Sequence, residues 1–308
     1  MNYTLHQLRV FLTVCEAGSI TKAAEVLHLT QPAVSIQLKN LQAQFEIPLT
    51  EIVRRQLHVT EFGQEIAETC ERILNEAETI NQKIQAFKGQ ISGTLKLSIV
   101  STGKYVMPYF LSQFLMENPA VKLKMDVTNK SQVIQSLEDN AVDFSLVSIL
   151  PERMSLNAIP LMQNKLYLIG NSDFVKQHPV NQIEDLEKVP LIFREEGSGT
   201  RQTLERFTSF KNLNIQNSME LTSNEAVKQA VVAGLGYSIM PLIGIKNDLQ
   251  LNNLEIIPIK GFPLTSQWQL VWLKNKRFSL AAQAYISYVE KHKTDIIKEK
   301  FDWYEAYQ

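Results

Sequence analysis

Three clusters of small polar residues stand where an apolar, strand-like run gives way to a helical pattern. They are Ser101-Thr102-Gly103-Lys104, Gly197-Ser198-Gly199-Thr200-Arg201 and Thr222-Ser223-Asn224-Glu225. The first turn of a helix carries free backbone N–H groups and a partial positive charge, so it suits anions. In open α/β sheets, ligands bind beyond the carboxyl ends of the strands, where such residues gather. The convergence of three clusters predicts a site for a carboxylate, phosphate or sulfate group.

The same clusters have a simpler interpretation. Ser, Thr and Asn commonly begin helices, because their side chains accept a hydrogen bond from a free N–H of the first turn. Each cluster taken alone fits that structural role. Three together, one of them with two glycines and an arginine, favour a ligand site.

The clusters lie in a part of the chain with α/β character, which begins after residues 89–93. Apolar runs at 94–100, 144–149, 166–170 and 268–273 are typical of buried strands, and amphipathic helical stretches lie between them. This alternation predicts α/β units with a largely parallel sheet.

Residues 1–88 have helical spacing and contain only two glycines and two prolines. Ser19 and Thr30 each precede a short helical run, and Pro32 lies early in the second run, where its missing N–H costs nothing. Two short helices joined by a turn predict a helix-turn-helix, which can place its second helix in the major groove of DNA. A plain helical bundle is the alternative. The side chains expected to face the groove are Gln31, Ser35, Gln37 and Lys39.

The runs Ala23-Ala24, Thr30-Gln31-Pro32-Ala33-Val34-Ser35 and Leu57-His58-Val59-Thr60-Glu61-Phe62-Gly63 resemble the N-terminal domain of LysR-type transcriptional regulators. The resemblance implies a winged helix-turn-helix over residues 1–60, with a β-hairpin wing at about 52–59. It also implies that Arg54 and Arg55 lie near the wing tip, with Arg55 close to the DNA backbone or minor groove. The recognition helix would bring to DNA Thr30, Gln31, Pro32 and Ser35.

A long helical stretch follows Thr60. Its apolar positions recur mostly every three or four residues, close to a heptad seam; they are Phe62, Ile66, Ile73, Ala77, Ile80, Ile84 and Phe87. An apolar stripe of this kind needs a partner, so we predict a linker helix over residues 61–91 that pairs with a second copy. Packing against its own chain is the alternative. Cys70 on the seam is expected to be a small core residue rather than a redox switch.

Residues 92 to about 295 resemble the effector-binding domain of the same family, a two-lobed fold similar to type 2 periplasmic binding proteins. Lobe I would comprise about 92–164 and 268–302, and lobe II about 165–267. Four runs are especially similar to the CbbR subgroup, regulators of carbon-fixation operons: 194–201, 223–231, 233–236 and 261–264. By resemblance and from the three clusters, the cleft residues are Ser101, Thr102, Asn129, Ser131, Ser148, Ser198, Gly199, Thr200, Arg201 and Thr222.

Composition limits the function classes further. The 308 residues carry a net charge of −1, from 31 basic and 32 acidic side chains, which excludes charge-driven disorder. Cys15 and Cys70 are too few for a disulfide scaffold. Residues 1–8 lack a signal-peptide pattern, and the most apolar stretch, 231–245, is shorter than the ~20 residues of a membrane span. We therefore expect a cytoplasmic protein with no membrane partner.

Catalytic sequence patterns are absent. There is no phosphate-binding loop, no HExxH, no GxSxG and no GxGxxG, and the five histidines are scattered without metal-ligand spacing. We expect no enzyme activity, no metal and no cofactor.

The sequence therefore predicts an α/β protein with an all-helical N-terminal part: a winged helix-turn-helix, a linker helix and a two-lobed effector domain over residues 92–302. The resemblance implies double-stranded DNA and a small anionic effector as partners. It also implies a homodimer through the linker helix, a homotetramer as the larger assembly, and contact with RNA polymerase. The alternative is a solute-binding module with a dimerisation domain and no role on DNA.

Overall fold

The computed structural model describes residues 2–53, 56–87, 90–151 and 153–307, apart from the side chains of 81–83 and 85–87. The chain divides into two compact units, residues 1–89 and 90–308. No helix among the described residues is long and apolar enough to span a membrane.

The N-terminal unit is a helix-turn-helix with a β-hairpin. Its elements are α1 (Leu5–Ala17), α2 (Ile20–Leu27), α3 (Gln31–Gln42), β1 (Thr50–Val53), β2 (Gln56–Val59) and α4 (Glu61–Phe87). The Thr30 hydroxyl accepts a hydrogen bond from the Ala33 N–H, and Pro32 lies in the first turn of α3, as predicted. Phe11, Leu41 and Leu49 are among the largest fully buried side chains in this unit.

The first turns of α4 belong to the core of the N-terminal unit. The Thr60 hydroxyl accepts from the Gly63 N–H at 2.9 Å and donates to the Pro48 carbonyl at 2.6 Å. A Cβ at Gly63 would overlap the Leu49 carbonyl oxygen, so the close approach of α4 requires glycine here. Ala67 is buried one turn later. The predicted linker of 61–91 is thus anchored over its first turns.

Cys70 of α4 is also buried, which agrees with the prediction of a core residue. Burial raises the pKa of the Cys70 thiol. Burial, with the neighbouring Cys70 as a smaller cause, raises the pKa of Cys15 to about 12. Both thiols are therefore protonated and poorly nucleophilic at neutral pH.

The C-terminal unit alternates strands and helices. Its first half contains β3 (Gly93–Val100), a 3₁₀ turn (Ser101–Tyr105), α5 (Met107–Glu117), β4 (Val121–Thr128), α6 (Lys130–Glu138), β5 (Phe144–Val147) and β6 (Leu156–Gly170). Its second half contains α7 (Ser172–Gln177), a 3₁₀ turn (Ile183–Lys188), β7 (Leu191–Arg194), α8 (Gly199–Phe210), β8 (Ser218–Leu221), α9 (Asn224–Val232), β9 (Ser238–Pro241), α10 (Leu242–Gln250), β10 (Glu255–Ile256), β11 (Leu264–Leu273) and α11 (Leu280–Glu305).

The main sheet is mixed, with strand order β10-β6-β11-β5-β3-β4 and β9 paired to β6. Strand β3 runs parallel to β4 and β5, whereas β11 runs antiparallel to β5 and β6. The prediction of a largely parallel sheet is therefore wrong for the half that contains β5, β11, β6, β9 and β10, where every pairing is antiparallel. The reason at the centre of the sheet is that β11 returns there in the opposite direction to β5. Strands β7 and β8 form a separate parallel pair.

Strands β6 and β11 run through the whole C-terminal unit. They are paired from Leu264 opposite Leu166 to Leu273 opposite Leu156, with a register shift between Gln267 and Gln269. Beyond that pairing, β6 runs between β9 and β10, since Ile169 pairs with both Ser238 and Ile256. The other edge of β11 pairs with β5. The register shift falls where the sequence predicts the lobe boundary, at residues 267/268.

Helix α11 ends against this pair of strands. Tyr304 is fully buried, and its hydroxyl oxygen accepts a hydrogen bond from the Lys165 backbone N–H at 2.7 Å. The Lys165 ammonium donates to the carbonyls of Tyr304, Glu305 and Tyr307 at 3.2, 3.3 and 2.8 Å. Lys165 therefore caps the carboxyl end of α11, which runs past the predicted domain limit at residue 302.

Replacing Tyr304 with Phe should lower the free energy of unfolding of the C-terminal unit by about 1–3 kcal/mol, because the Lys165 N–H loses its partner. Urea unfolding followed by tryptophan fluorescence measures this unit, since the three tryptophans (268, 272 and 303) all lie in it. Tyr307→Phe removes the same hydroxyl from an exposed ring nearby and should change stability by less than about 0.5 kcal/mol. Equal losses in the two variants would contradict the role given to the Tyr304 hydroxyl.

Candidate functional site

The predicted polar clusters follow strand ends in both predicted lobes, and the region where these two sets of residues meet is called the cleft. From lobe I, the 3₁₀ turn at Ser101 follows β3, α6 follows β4, and Ser148 follows β5. From lobe II, α8 follows β7 and α9 follows β8. Contacts across the cleft join the two sets: the Ser131 N–H donates to the Gly197 carbonyl at 3.3 Å, and the Lys130 ammonium donates to Gln202 Oε1 at 2.7 Å.

The close approach of the lobes depends on Gly197. Its φ of +83° is in the left-handed region that favours glycine, and a Cβ there would lie 2.7 Å from the Ser131 hydroxyl oxygen. Gly199 follows at the first position of α8, and its Cβ position would lie 3.9 Å from both Lys130 and the Ser148 hydroxyl. Gly197 thus lets the start of α8 approach lobe I, whereas the position of Gly199 has room for a Cβ.

Some of the cleft residues cap helices, as the simpler interpretation holds. Asn129 Oδ1 accepts from the Gln132 N–H at 3.1 Å, and the Ser223 hydroxyl accepts from the Ala226 N–H at 3.0 Å. Ser198 differs. It occupies the position just before α8, but its hydroxyl accepts no hydrogen bond from the first turn of that helix, and the residue is buried. Thr200 of the same turn is buried as well. Hydroxyl groups at the start of α8 are therefore not explained by capping.

Thr102 connects the cleft to strand β11. It is buried, and its hydroxyl oxygen accepts a hydrogen bond from the Trp268 indole N–H at 3.3 Å. Trp268 is fully buried at the register shift of β11.

Arg194 at the end of β7 is a cleft residue that the sequence prediction missed. Its side chain is only 3 % exposed. Nε and Nη2 donate to the Glu195 carboxylate at 2.7 and 2.8 Å, and Nη1 donates to the Ser101 hydroxyl at 3.2 Å and to Asn224 Oδ1. Asn224, which is also buried, donates from Nδ2 to the same Ser101 hydroxyl at 3.2 Å. The signal that could have indicated Arg194 is a cation as the last residue of a buried apolar strand.

Two predicted cleft residues are placed differently from the expectation. The Arg201 guanidinium is bound within lobe II, by Glu205 at 2.6 Å, by Glu220 and by the Arg194 carbonyl at 3.2 Å. The hydrogen bonds from Arg201 to Glu205 and Glu220 raise its pKa, so its charge is committed to these carboxylates. Thr222 is exposed, and Asn224 is the member of its cluster that meets lobe I.

The exposed face of α3 gathers most of the residues predicted to contact DNA. Val34, Leu38 and Leu41 form the buried face of this helix. Gln31, Ser35 and Lys39 recur every four residues and form one stripe. Next to that stripe lie Pro32 and Ile36, which is 57 % exposed. This face is therefore accessible along the length of the helix.

Gln37 does not join that stripe. Two positions along a helix are about 200° apart, so Gln37 and Ser35 point in nearly opposite directions. Both side chains are half-buried, so it is their direction and not their burial that separates them. Strands β1 and β2 form the expected hairpin, with Val53 paired to Gln56. Arg54 and Arg55, predicted for its tip, lie outside the described residues.

Among the described residues, no group of three or more His, Cys, Asp or Glu residues is placed to hold a metal ion.

Residues 5–64 match the family of bacterial regulatory helix-turn-helix proteins of lysR type, and residues 88–294 match the LysR substrate binding domain. The chain belongs to the LysR family of transcriptional regulators, which are not enzymes. The match over residues 5–64 argues against a solute-binding module without a role on DNA.

Two relatives match nearly the whole chain, and the name of the second agrees with the predicted similarity to regulators of carbon-fixation operons. The chain is 35 % identical over 296 residues to the transcriptional activator CmpR of Synechocystis sp., covering 94 % of this chain and 96 % of CmpR. It is 36 % identical over 294 residues to the RuBisCO operon transcriptional regulator of Allochromatium vinosum, with the same coverages.

A solved structure resembles the C-terminal unit. The Synechocystis CcmR regulatory domain in complex with 2-PG has a TM-score of 0.62 and 30 % sequence identity, covering 66 % of this chain and 99 % of that domain.

Proposed function

We propose that the C-terminal cleft binds a small anionic metabolite and that this binding controls DNA recognition by the N-terminal unit. The observation that carries the proposal is the junction of β7 and α8. It places the buried Arg194 cation and the Ser198 hydroxyl, which caps no helix turn, at the same strand end. Free N–H groups of the first turn of α8 add donors with a partial positive charge. Such a set of donors suits a carboxylate or a phosphate.

Relatives point to a class of ligand and of target gene. The related CcmR domain binds 2-PG, which we take as 2-phosphoglycolate, a small acid with a phosphate and a carboxylate. One relative regulates a RuBisCO operon. We therefore propose a phosphorylated small acid as the effector, and carbon-fixation genes as the regulated genes.

The cleft suggests how a ligand alters the protein. Ser101 belongs to lobe I, whereas Arg194 and Ser198 belong to lobe II. A ligand that contacts both lobes makes different contacts when they separate, and only such a difference in affinity can shift a population of conformations. In this proposal, the shift changes how the subunits are arranged and hence the spacing of the DNA-reading heads.

The N-terminal unit requires a partner copy to bind DNA well. Residues 1–60 carry five basic and four acidic side chains, so one head has little electrostatic attraction for phosphates. On α4, Ile73, Ile80 and Ile84 are 38, 61 and 50 % exposed and continue the apolar stripe beyond the core of the N-terminal unit. We propose that this stripe pairs two copies into a homodimer, which assembles further into a homotetramer, acts in the cytoplasm and contacts RNA polymerase.

Replacing Gln31 with Ala should weaken binding to the operator by about 1–3 kcal/mol, because the side chain begins the exposed stripe of α3 and can reach a base edge. Gel shifts on an operator selected from random DNA by the wild-type protein measure the loss. Gln37→Ala is the matched control, since it removes the same side chain from the other side of the same helix. A larger loss for Gln37→Ala would show that another face of α3 reads the DNA.

Replacing both Ile73 and Ile80 with Asp should dissociate the dimer, because two charges would enter an apolar helix pair. Sedimentation velocity reports the oligomeric state, and operator affinity should fall with it. Asn75→Asp with Thr79→Asp adds the same charge on the opposite side of α4 and should leave the dimer intact. A dimer that survives the isoleucine changes would place the interface elsewhere.

Replacing Ser198 with Ala should weaken the binding of 2-phosphoglycolate by about 1–2 kcal/mol, because a buried donor is lost at nearly constant volume. Calorimetry on the full chain measures the affinity, and operator binding without ligand should persist. Ser223→Ala removes a hydroxyl that caps α9 and should lower stability without this loss of affinity. Equal losses of affinity would mean that both hydroxyls only maintain the fold.

A further inference from the structure

Arg194 and Glu195 form an ion pair between consecutive residues at the edge of the cleft. The two carboxylate oxygens accept from Nε and Nη2 at 2.7 and 2.8 Å, so the pair is bidentate. The two partners are held unequally. Arg194 is 3 % exposed and is also held by Ser101 and Asn224, whereas the Glu195 side chain is 15 % exposed.

The position of the guanidinium is therefore fixed, and the carboxylate is the replaceable member. Among the described residues, the hydrogen bonds to the Glu195 carboxylate come from Arg194 alone. A buried guanidinium needs an anionic partner, because the desolvation of an unpaired charge is costly. That partner can be any anion with two oxygens spaced like those of a carboxylate, including a phosphate.

We propose that Glu195 is an internal counter-ion that the anionic effector displaces from Arg194, and that it thereby selects the charge of the effector. This inference rests on the proposed function of the cleft. Glu195 is attached to the chain beside Arg194, so its effective concentration at the guanidinium is high. A ligand with one carboxylate gains only the contact that Glu195 already makes and cannot displace it at modest concentration.

A ligand with two anionic groups gains a contact that Glu195 does not make. One group replaces Glu195 on Arg194, while the second binds the free N–H groups at the start of α8, where Ser198 and Thr200 lie. Displacement therefore favours dianionic small acids over monocarboxylates. The same exchange acts on both lobes, because the guanidinium that changes partner also holds the Ser101 hydroxyl of lobe I.

Calorimetry on the full-length protein with two probes, 2-phosphoglycolate and glycolate, tests the selection. The Glu195→Gln variant removes the charge at constant size, so its affinity for glycolate should rise about tenfold or more. The preference for 2-phosphoglycolate over glycolate should fall by a similar factor. Glu196→Gln is the matched control, because the next residue is exposed and loses the same charge without touching Arg194.

Glu195→Asp guards against a folding defect, because it keeps the charge while the shorter side chain loses the bidentate contact. It should raise glycolate affinity by less than Glu195→Gln does. An unchanged preference in Glu195→Gln, or the same change in Glu196→Gln, overturns the inference. If the wild-type protein binds neither 2-phosphoglycolate nor glycolate, the proposed anion site is contradicted instead. The two failures are therefore distinguishable.

Discussion

The antiparallel pairing of β6 with β11 is the interaction on which the C-terminal unit depends. Strands β5, β3 and β4 extend the sheet from β11, and β9 and β10 both pair with β6. Every strand of the main sheet is therefore joined, directly or through a neighbour, to this pair. The register shift beside Trp268 interrupts the regular hydrogen bonding of the pair.

Trp268 also links this pair of strands to the cleft. Its indole N–H reaches the Thr102 hydroxyl, while its ring lies 6.4 Å from that of Tyr304. One continuous set of contacts thus joins the end of α11, strand β11 and the 3₁₀ turn that follows β3. The 3₁₀ turn at Ser101 therefore contacts the β6–β11 pair directly through Thr102 and Trp268.

Local sequence patterns were sufficient where the physical cause is local. The start of α3 at Thr30 and the start of α4 at Thr60 each follow from a hydroxyl that accepts from the backbone N–H three residues on. The direction of a strand has no such local cause, since an apolar run reads the same in a parallel and an antiparallel ladder. For that reason the reversal of β11 did not follow from the sequence.

The residues of the candidate sites also fall into those with a local cause and those that depend on the tertiary fold. Arg194 meets Ser101 across 93 residues of chain, and Asn224 meets it across 123, so only the tertiary fold reveals this contact. Two other positions were within reach of simple helical geometry. Arg201 has Glu205 one turn away, and the position of Gln37 on α3 follows from 100° per residue. Identifying a cleft from its hydroxyl groups is therefore easier than assigning its charges.

The packing of the last turns of α11 has a consequence for how the C-terminal unit folds. Phe301 packs against Tyr109 and Phe110, and the Tyr304 hydroxyl accepts a hydrogen bond from the Lys165 N–H, which lies 139 residues away in sequence. Contacts between distant parts of a chain slow folding, because a long segment must be ordered before they form. This part of the core therefore forms only after β6 and the helices between it and α11 are already brought together.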